Sequence, residues 1–129
     1  MPSHQTELQQ FFVDYGKALV QGVVPSMTSS YAYPSAVITG EGSIVVLSEG
    51  DIHQALSGAL EQYHEQHIVE AIPCIDQCMQ IDKQLFEVTV TWTYRDRSEA
   101  DISTESYRYF IRKSDGIHLI AATIPILTR

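Results

Sequence analysis

The sequence has few of the features that mark secreted or membrane proteins. Only two of its 129 residues are cysteines, too few for a disulfide framework. No basic N-terminal segment precedes an apolar stretch, which argues against a secretory signal. The longest mostly apolar run, 117–127, is too short to cross a bilayer as a helix. These absences predict a cytoplasmic protein.

Basic residues are also scarce, with 8 Lys and Arg against 16 Asp and Glu and a formal net charge of −8. Repulsion between like charges disfavours binding to phosphate backbones and anionic lipid. We therefore expect no nucleic-acid partner and no membrane partner. The length and the 44% hydrophobic content are typical of one folded domain, predicted over 1–129 without linker or repeat.

The first half of the chain has helical periodicity. Residues 7–20 carry apolar side chains spaced by three and four, namely Leu8, Phe11, Phe12, Tyr15 and Leu19. Thr6 is predicted to cap the start of this helix, and Gly22 to end it. Pro25 predicts a short second helical turn through Ser30.

A small hairpin is predicted next, from the β-branched runs 36–39 and 43–47 around Gly40-Glu41-Gly42. Ser48 and Asp51 have the spacing of a capping box and open a long helix that ends near His67. One face of this helix is apolar: Ile52, Ala55, Leu56, Ala59, Leu60 and Tyr63.

The second half predicts four strands, at 69–82, 86–94, 103–113 and 117–124. Pro73 indicates an edge position or a bulge for the first. The second alternates cleanly between large apolar and polar residues. The last is apolar on both faces, as in a central strand covered on both sides.

Helices followed by strands predict an α+β fold with a mainly antiparallel sheet. The helices are expected to cover the apolar face of 86–94. The threonine-rich opposite face either contacts water or packs against a second subunit, and the two-faced apolar last strand favours the second subunit.

Several segments carry a family resemblance, namely Asp14-Tyr15-Gly16-Lys17-Ala18-Leu19, Tyr31-Ala32-Tyr33-Pro34, Trp92-Thr93-Tyr94-Arg95-Asp96 and Ser106-Tyr107-Arg108-Tyr109. From about Glu7 to Ile124 the chain resembles the nuclear-transport-factor-two-like (NTF2-like) superfamily, and locally its SnoaL-like uncharacterised proteins. More distantly it resembles ketosteroid isomerase and the polyketide cyclases. The resemblance implies a cone-shaped fold, a pocket at its open end and a homodimer through the outer sheet face.

Catalytic roles of ketosteroid isomerase transfer only in part. Tyr15 is similar in placement to that enzyme's oxyanion tyrosine. The position of its catalytic carboxylate falls at or near Thr39, and the strand of its second acid matches 106–110, where serine, tyrosine and arginine occur. Because two of three roles are missing, steroid isomerase chemistry is disfavoured.

Aromatic residues are the main candidates for a ligand site, because rings with polar tips suit a flat organic molecule. The candidates are Tyr15, Tyr31, Tyr33, Trp92, Tyr94, Tyr107 and Tyr109. The alternative is that these rings simply fill the core. Arg108 either holds a ligand carboxylate or, as we favour, pairs with Glu87 or Glu105.

For acid–base chemistry, Tyr15 would stabilise an oxyanion while His118 or Asp76 moved the proton. The alternatives are a structural role for His118 and a surface position for Asp76 on an edge strand. Asp76 is expected on the same strand face as Cys74 and Cys78. His64 and His67 are interpreted as a solvated helix end, so neither a metal nor a cofactor is predicted.

These residues predict a protein that binds a small hydrophobic or aromatic molecule between its helices and its curved sheet. The alternatives are a cofactor-free isomerase, lyase or cyclase acting on a carbonyl compound, and a dimeric scaffold without a ligand.

Overall fold

The computed structural model describes residues 4–127, which form three helices and six strands. In chain order these elements are α1 (His4–Gln21), α2 (Val24–Thr28), β1 (Tyr31–Thr39), β2 (Gly42–Val46), α3 (Glu49–Glu65), β3 (Ile68–Asp82), β4 (Leu85–Asp96), β5 (Asp101–Ser114) and β6 (Ile117–Ile126).

All six strands belong to one curved, unclosed sheet with the order β2-β1-β6-β5-β4-β3. Strands β1 and β6 run parallel, and the other neighbours are antiparallel. The helices pack on the inner face of this sheet. The predicted α+β cone is therefore confirmed, and β6 occupies the central position that its two apolar faces predicted.

The core lies between α1 and the inner face of β4. From Phe86 to Tyr94 every second side chain of β4 is at most 3% exposed, as the alternation predicted. The apolar side chains spaced by three and four along α1, which we call its apolar stripe, cover these inward side chains of β4. Leu8 and Phe12 of the stripe are fully buried. Burial of apolar area on this scale is the main force that holds a helix against a sheet.

Helix α1 is longer than its apolar stripe. It begins by His4, so Thr6 lies inside the first turns and the predicted Thr6 cap is wrong. The stripe starts at Leu8, but the helix extends about one turn further toward the N-terminus. Gly22 follows the last residue of α1 with φ of +67°, which is the left-handed conformation predicted for its end.

Helix α3 begins at the predicted cap. The Ser48 side chain accepts from the Asp51 backbone N–H at 3.3 Å, and the Asp51 carboxylate accepts from the Leu47 N–H at 3.0 Å. Ile52 is the one buried residue of this helix. Much of the remaining apolar face is half-buried, and Ala55 is exposed, so α3 is less firmly anchored than α1.

Strand β3 lies at the edge of the sheet, as Pro73 predicted. The register of β3 on β4 shifts between Ile75 and Gln77. Cys74 therefore pairs with Thr91 on the outer face, whereas Cys78 packs against the core. The expectation that the two cysteines share a face is wrong, because the extra residue of a bulge reverses the alternation beyond it.

Within residues 4–127, the helices are too short or too polar to cross a membrane.

Candidate functional site

A cavity of about 70 Å³ lies between the sheet and the helices, and we call it the tyrosine pocket. Its walls carry six tyrosines and the single tryptophan of the chain: Tyr15, Tyr31, Tyr63, Tyr94, Tyr107, Tyr109 and Trp92. Leu19, Leu56, Ala59 and Thr123 complete the lining. Helices α1 and α3 and strands β1, β4, β5 and β6 all contribute.

Hydrogen bonds between side chains hold several of these rings. Tyr15 and Tyr31 share one between their hydroxyls. The Tyr63 hydroxyl donates to the Tyr94 hydroxyl at 3.1 Å. The Trp92 indole Nε1–H donates to the Tyr109 hydroxyl at 2.9 Å. These bonds orient the rings, and each satisfies a polar atom that would otherwise be costly to bury.

The phenols of the pocket are neutral at physiological pH. Burial raises the pKa of Tyr15, Tyr31 and Tyr109 above the ordinary value of 10, because it disfavours the phenolate form. Burial likewise raises the pKa of Tyr94 and Tyr107. A neutral phenol both donates and accepts a hydrogen bond, so the pocket suits carbonyl, hydroxyl or amide groups.

One polar atom in the pocket wall has no partner among the described residues. The Thr123 Oγ1 is buried and makes no hydrogen bond to them. Thr123 pairs with Tyr109 across β5 and β6, on the inner face of the sheet. A buried hydroxyl without a partner costs about 1–3 kcal/mol, so a polar group entering the pocket would gain this contact.

Glu105 lies beside the pocket, on its solvent side. Its residue is exposed, and its Oε2 accepts from the Tyr107 hydroxyl at 3.3 Å. Its negative charge adds to burial in raising the pKa of Tyr63, Tyr94 and Tyr107. Sequence reasoning considered Glu105 only as a partner of Arg108. The alternation of β5 was the available signal, because it places Glu105 on the face of Tyr107 and Tyr109.

A family profile matches nearly the whole described chain. The profile described as NTF2-like protein (DUF6841) matches residues 6–127. The chain belongs to this NTF2-like family. The resemblance drawn from the sequence is therefore confirmed, and its SnoaL-like label is compatible with the family. No curated protein matches the sequence.

Solved structures share the NTF2-like fold at low sequence identity. An NTF-2 like protein of unknown function from Shewanella oneidensis MR-1 has a TM-score of 0.69 and 13% identity, covering 95% of this chain and 98% of that one. A domain of unknown function with a cystatin-like fold from Nostoc punctiforme has a TM-score of 0.70 and 15% identity, covering 99% and 80%. The protein Aln2 from a Streptomyces species has a TM-score of 0.70 and 12% identity, covering 98% and 93%. At such identities the likeness shows the fold alone.

Six of the ligand-binding candidates predicted from the sequence line the pocket of this NTF2-like protein: Tyr15, Tyr31, Trp92, Tyr94, Tyr107 and Tyr109. Sequence reasoning did not select Tyr63, which it assigned to the apolar face of the long helix, or Thr123. Tyr63 lies where that face meets the cavity, and a periodic pattern does not distinguish a core position from a cavity wall.

Two other ligand-binding candidates lie elsewhere. Tyr33 is half-buried, and its hydroxyl donates to the Thr28 carbonyl at 2.6 Å rather than lining the pocket. Arg108 lies on the outer face, with its Nε 3.0 Å from the Glu87 carboxylate. The favoured ion pair is confirmed, and the alternative in which Arg108 holds a ligand in the pocket is wrong in its placement.

Asp76 also lies outside the pocket. Its carboxylate accepts from the Thr91 hydroxyl at 2.5 Å, and Thr91 points to the outer face. The register of β3 on β4 shifts between Ile75 and Gln77, so Asp76 is the extra residue of the bulge. Asp76 is exposed. The predicted placement as a pocket acid is therefore wrong, whereas the alternative surface position on an edge strand agrees with the structure.

His118 is on the inner face but does not line the tyrosine pocket. Its side chain is 10% exposed, its Nε2 is 3.9 Å from the Glu7 carboxylate, and its ring lies 6.2 Å from that of Phe11. Lys113 donates to the same carboxylate at 3.1 Å. The structure therefore does not bring His118 to Tyr15, and the structural alternative fits its surroundings. No cluster of three or more metal-ligating side chains occurs within residues 4–127.

The burial of His118 predicts a pH dependence of stability. Burial is the main cause that lowers the pKa of its imidazole, and Glu7 opposes this shift. The unfolded chain then binds the proton more readily than the folded one. We therefore expect the free energy of unfolding to decline as the pH falls through about 6.5, the ordinary pKa of a histidine side chain in the unfolded chain.

Urea unfolding between about pH 8 and pH 5 measures this effect, and His118→Gln should remove it. His53→Gln, at an exposed position of α3, is the matched control and should keep the wild-type slope. Identical slopes in the two variants would contradict the assignment to His118.

Proposed function

We propose that this NTF2-like protein binds a small aromatic molecule in the tyrosine pocket. The observation that carries the proposal is the lining: neutral hydroxyls and a tryptophan surround a cavity whose wall also holds the unpartnered Thr123 hydroxyl. An apolar cavity with a few convergent polar groups is the usual form of a small-molecule site. Ring faces provide stacking area, and the hydroxyls provide direction.

The pocket needs to widen for such a ligand. Its volume of about 70 Å³ is roughly half of the ~150 Å³ of a cavity that holds one benzene molecule. Helix α3 is the element best suited to move, since Ile52 is its one buried residue. Leu56, Ala59 and Tyr63 of α3 line the pocket, so a small outward shift of the helix would enlarge it.

Binding is favoured over acid–base catalysis by the chemistry of the wall. An enzyme of this kind needs a carboxylate or imidazole within reach of the reacting atom. Among the described residues, the lining contains phenols, one indole, one threonine and aliphatic groups. Glu105 is the carboxylate beside the pocket, but it is exposed and bonded to Tyr107.

The proposal is tested by filling the pocket from α3. Ala59 lines it, whereas Ala55 is exposed on the same helix. We expect 3-phenylpropionamide to change the fluorescence of Trp92, and Ala59→Met to weaken this binding by roughly tenfold or more because the new side chain occupies the cavity. Ala55→Met is the matched control and should bind as the wild type does.

Each contrary result of this titration has a definite meaning. An unchanged Trp92 signal at all concentrations of the amide would contradict binding in the pocket and would favour a scaffold whose rings fill their own cavity. Equal binding by both methionine variants would place the ligand elsewhere on the protein.

We also propose that the outer sheet face pairs with a second copy of the chain. Phe110, Ala122 and Ile124 lie on this face and are only partly exposed in the single chain. Such an apolar centre is typical of a homodimer interface. Sedimentation at micromolar concentration should give twice the 14.5 kDa of one chain, and a 14.5 kDa species alone would contradict the dimer.

A further inference from the structure

A second and larger cavity lies next to the tyrosine pocket. Its volume is about 460 Å³, and we call it the outer cavity. It is formed by the end of α1, the last turns of α3, the start of β3 and the loop after β4. Leu60, Ile68 and Val69 are among its apolar wall residues. Its volume lies within the usual range for small-molecule sites.

The two cavities share a wall. Leu19 and Tyr63 line both of them, so one layer of side chains separates the tyrosine pocket from the outer cavity. Tyr63 belongs to α3, the less firmly anchored helix, and is held by one hydrogen bond to Tyr94. Rotation of this ring would join the cavities into one site, at the cost of that hydrogen bond and of the ring contact with Tyr94, whose centroid lies 5.1 Å away.

The outer cavity concentrates basic groups in an acidic protein. His64, His67 and Arg97 line it. Among the described residues no carboxylate does, although the chain has 16 Asp and Glu against 8 Lys and Arg. The Arg97 guanidinium is a cation with several N–H donors, and each imidazole offers an N–H donor. This set is suited to a carboxylate or another anionic oxygen group.

Charge also distinguishes the two sides of the tyrosine pocket. On the side of Tyr107, the Glu105 carboxylate would repel an anion. On the side of Tyr63 and Leu19, the outer cavity offers Arg97 and the two histidines. An amphiphilic ligand would therefore be oriented, with its ring among the tyrosines and its anionic group toward Arg97.

We infer that the ligand class of this protein is an aromatic carboxylate, whose ring occupies the tyrosine pocket and whose carboxylate occupies the outer cavity at His64, His67 and Arg97. This inference rests on the proposed binding function and adds the anionic group and its site. A spacer between ring and carboxylate is needed, since Tyr63 lies between the two cavities.

The inference is tested with two probes that differ in charge, 3-phenylpropionate and 3-phenylpropionamide. Both place a two-carbon spacer between the ring and the polar group. Trp92 fluorescence should report both, because the single tryptophan lines the tyrosine pocket. We expect the carboxylate to bind roughly tenfold more tightly than the amide, and added salt to reduce this difference.

Arg97→Gln should abolish the preference for the carboxylate and leave the affinity for the amide unchanged. Arg112→Gln makes the same change in net charge at an exposed position outside both cavities, and should keep the preference. Because both arginines are exposed, we expect both variants to fold, which thermal unfolding checks.

The results of these titrations distinguish a failure of the proposed anionic site from a failure of the proposed binding function. If both probes bind with equal affinity and Arg97→Gln changes neither, the anionic site is overturned while the binding function stands. If Arg112→Gln reduces the preference as much as Arg97→Gln does, the effect is one of overall charge and the site is likewise overturned. If neither probe alters Trp92, the binding function itself fails, and the anionic site fails with it.

Discussion

Replacing Phe12 with alanine is expected to lower the free energy of unfolding by about 3–5 kcal/mol. Phe12 is fully buried on α1, with its ring 4.9 Å from that of Tyr109 and 6.2 Å from that of Trp92. Truncation removes apolar burial and leaves a cavity that these large rings fill poorly. Urea unfolding followed by far-UV circular dichroism measures the loss.

Phe11→Ala is the matched control for this prediction, since it makes the same chemical change one residue away. Phe11 is half-buried and packs at the edge of the core. We expect it to lose less than half as much stability as Phe12→Ala, because less apolar area leaves water there. Equal losses in the two variants would contradict the assignment of Phe12 to the centre of the core.

The second large effect is expected at Gly16, where alanine should destabilise the fold by about 1–3 kcal/mol. An added Cβ would lie 2.7 Å from the Trp92 ring and 2.9 Å from the Ala71 carbonyl oxygen. The carbonyl belongs to the backbone of β3 and cannot turn away. Helix α1 and the sheet must therefore separate locally, and this cost exceeds the helix-forming advantage of alanine.

Gly58 provides the matched control, because it also lies within a helix but has open space around its Cα. No atom lies within 4 Å of a Cβ built there. Gly58→Ala should therefore stabilise the protein by about 0.5–1 kcal/mol through reduced backbone entropy of the unfolded chain. Chemical denaturation of both variants gives the comparison, and two shifts of the same sign would refute the close contact at Gly16.

The Gly16 variant also tests the link between packing and the site. The Trp92 ring touched by the new Cβ forms part of the tyrosine pocket. We therefore expect Gly16→Ala to change the near-ultraviolet circular dichroism of Trp92, whereas Gly58→Ala leaves it unchanged. The close approach of α1 to the β3 backbone and to the Trp92 ring at Gly16 accompanies the placement of Tyr15 beside Trp92, with 6.2 Å between the two ring centroids.

The elements predicted well are those in which one physical rule acts over many residues. Along β4 the alternation continues from Phe86 to Tyr94, and each inward side chain is buried. The stripe of α1 repeats over several turns. A periodic pattern that continues over so many residues identifies both the type of element, helix or strand, and the face of it that is buried. The central position of β6 followed from its two apolar faces.

The incorrect predictions come from single-residue events. The bulge at Asp76 reverses the alternation of inward and outward side chains along β3. As a result Cys74 and Cys78 lie on opposite faces, and Asp76 lies outside the pocket. A bulge depends on how β3 pairs with β4 and has no reliable signature in the sequence of one strand. For His118 the sequence left both a proton-transfer role and a structural role open. It lies by Glu7 and Phe11, which fits the structural role, because its position along β6 is set by the register with β5.

From residue order alone, the identity of the layers follows: which rings face inward, which helix is amphipathic and which strand is central. These depend on local periodicity, because burying apolar area selects one face of each element. The grouping of six tyrosines around one cavity, the position of Glu105 and the basic wall of the outer cavity depend on distances between strands and helices far apart in the chain. Strand register, bulges and helix packing set those distances, and local periodicity carries no information about them.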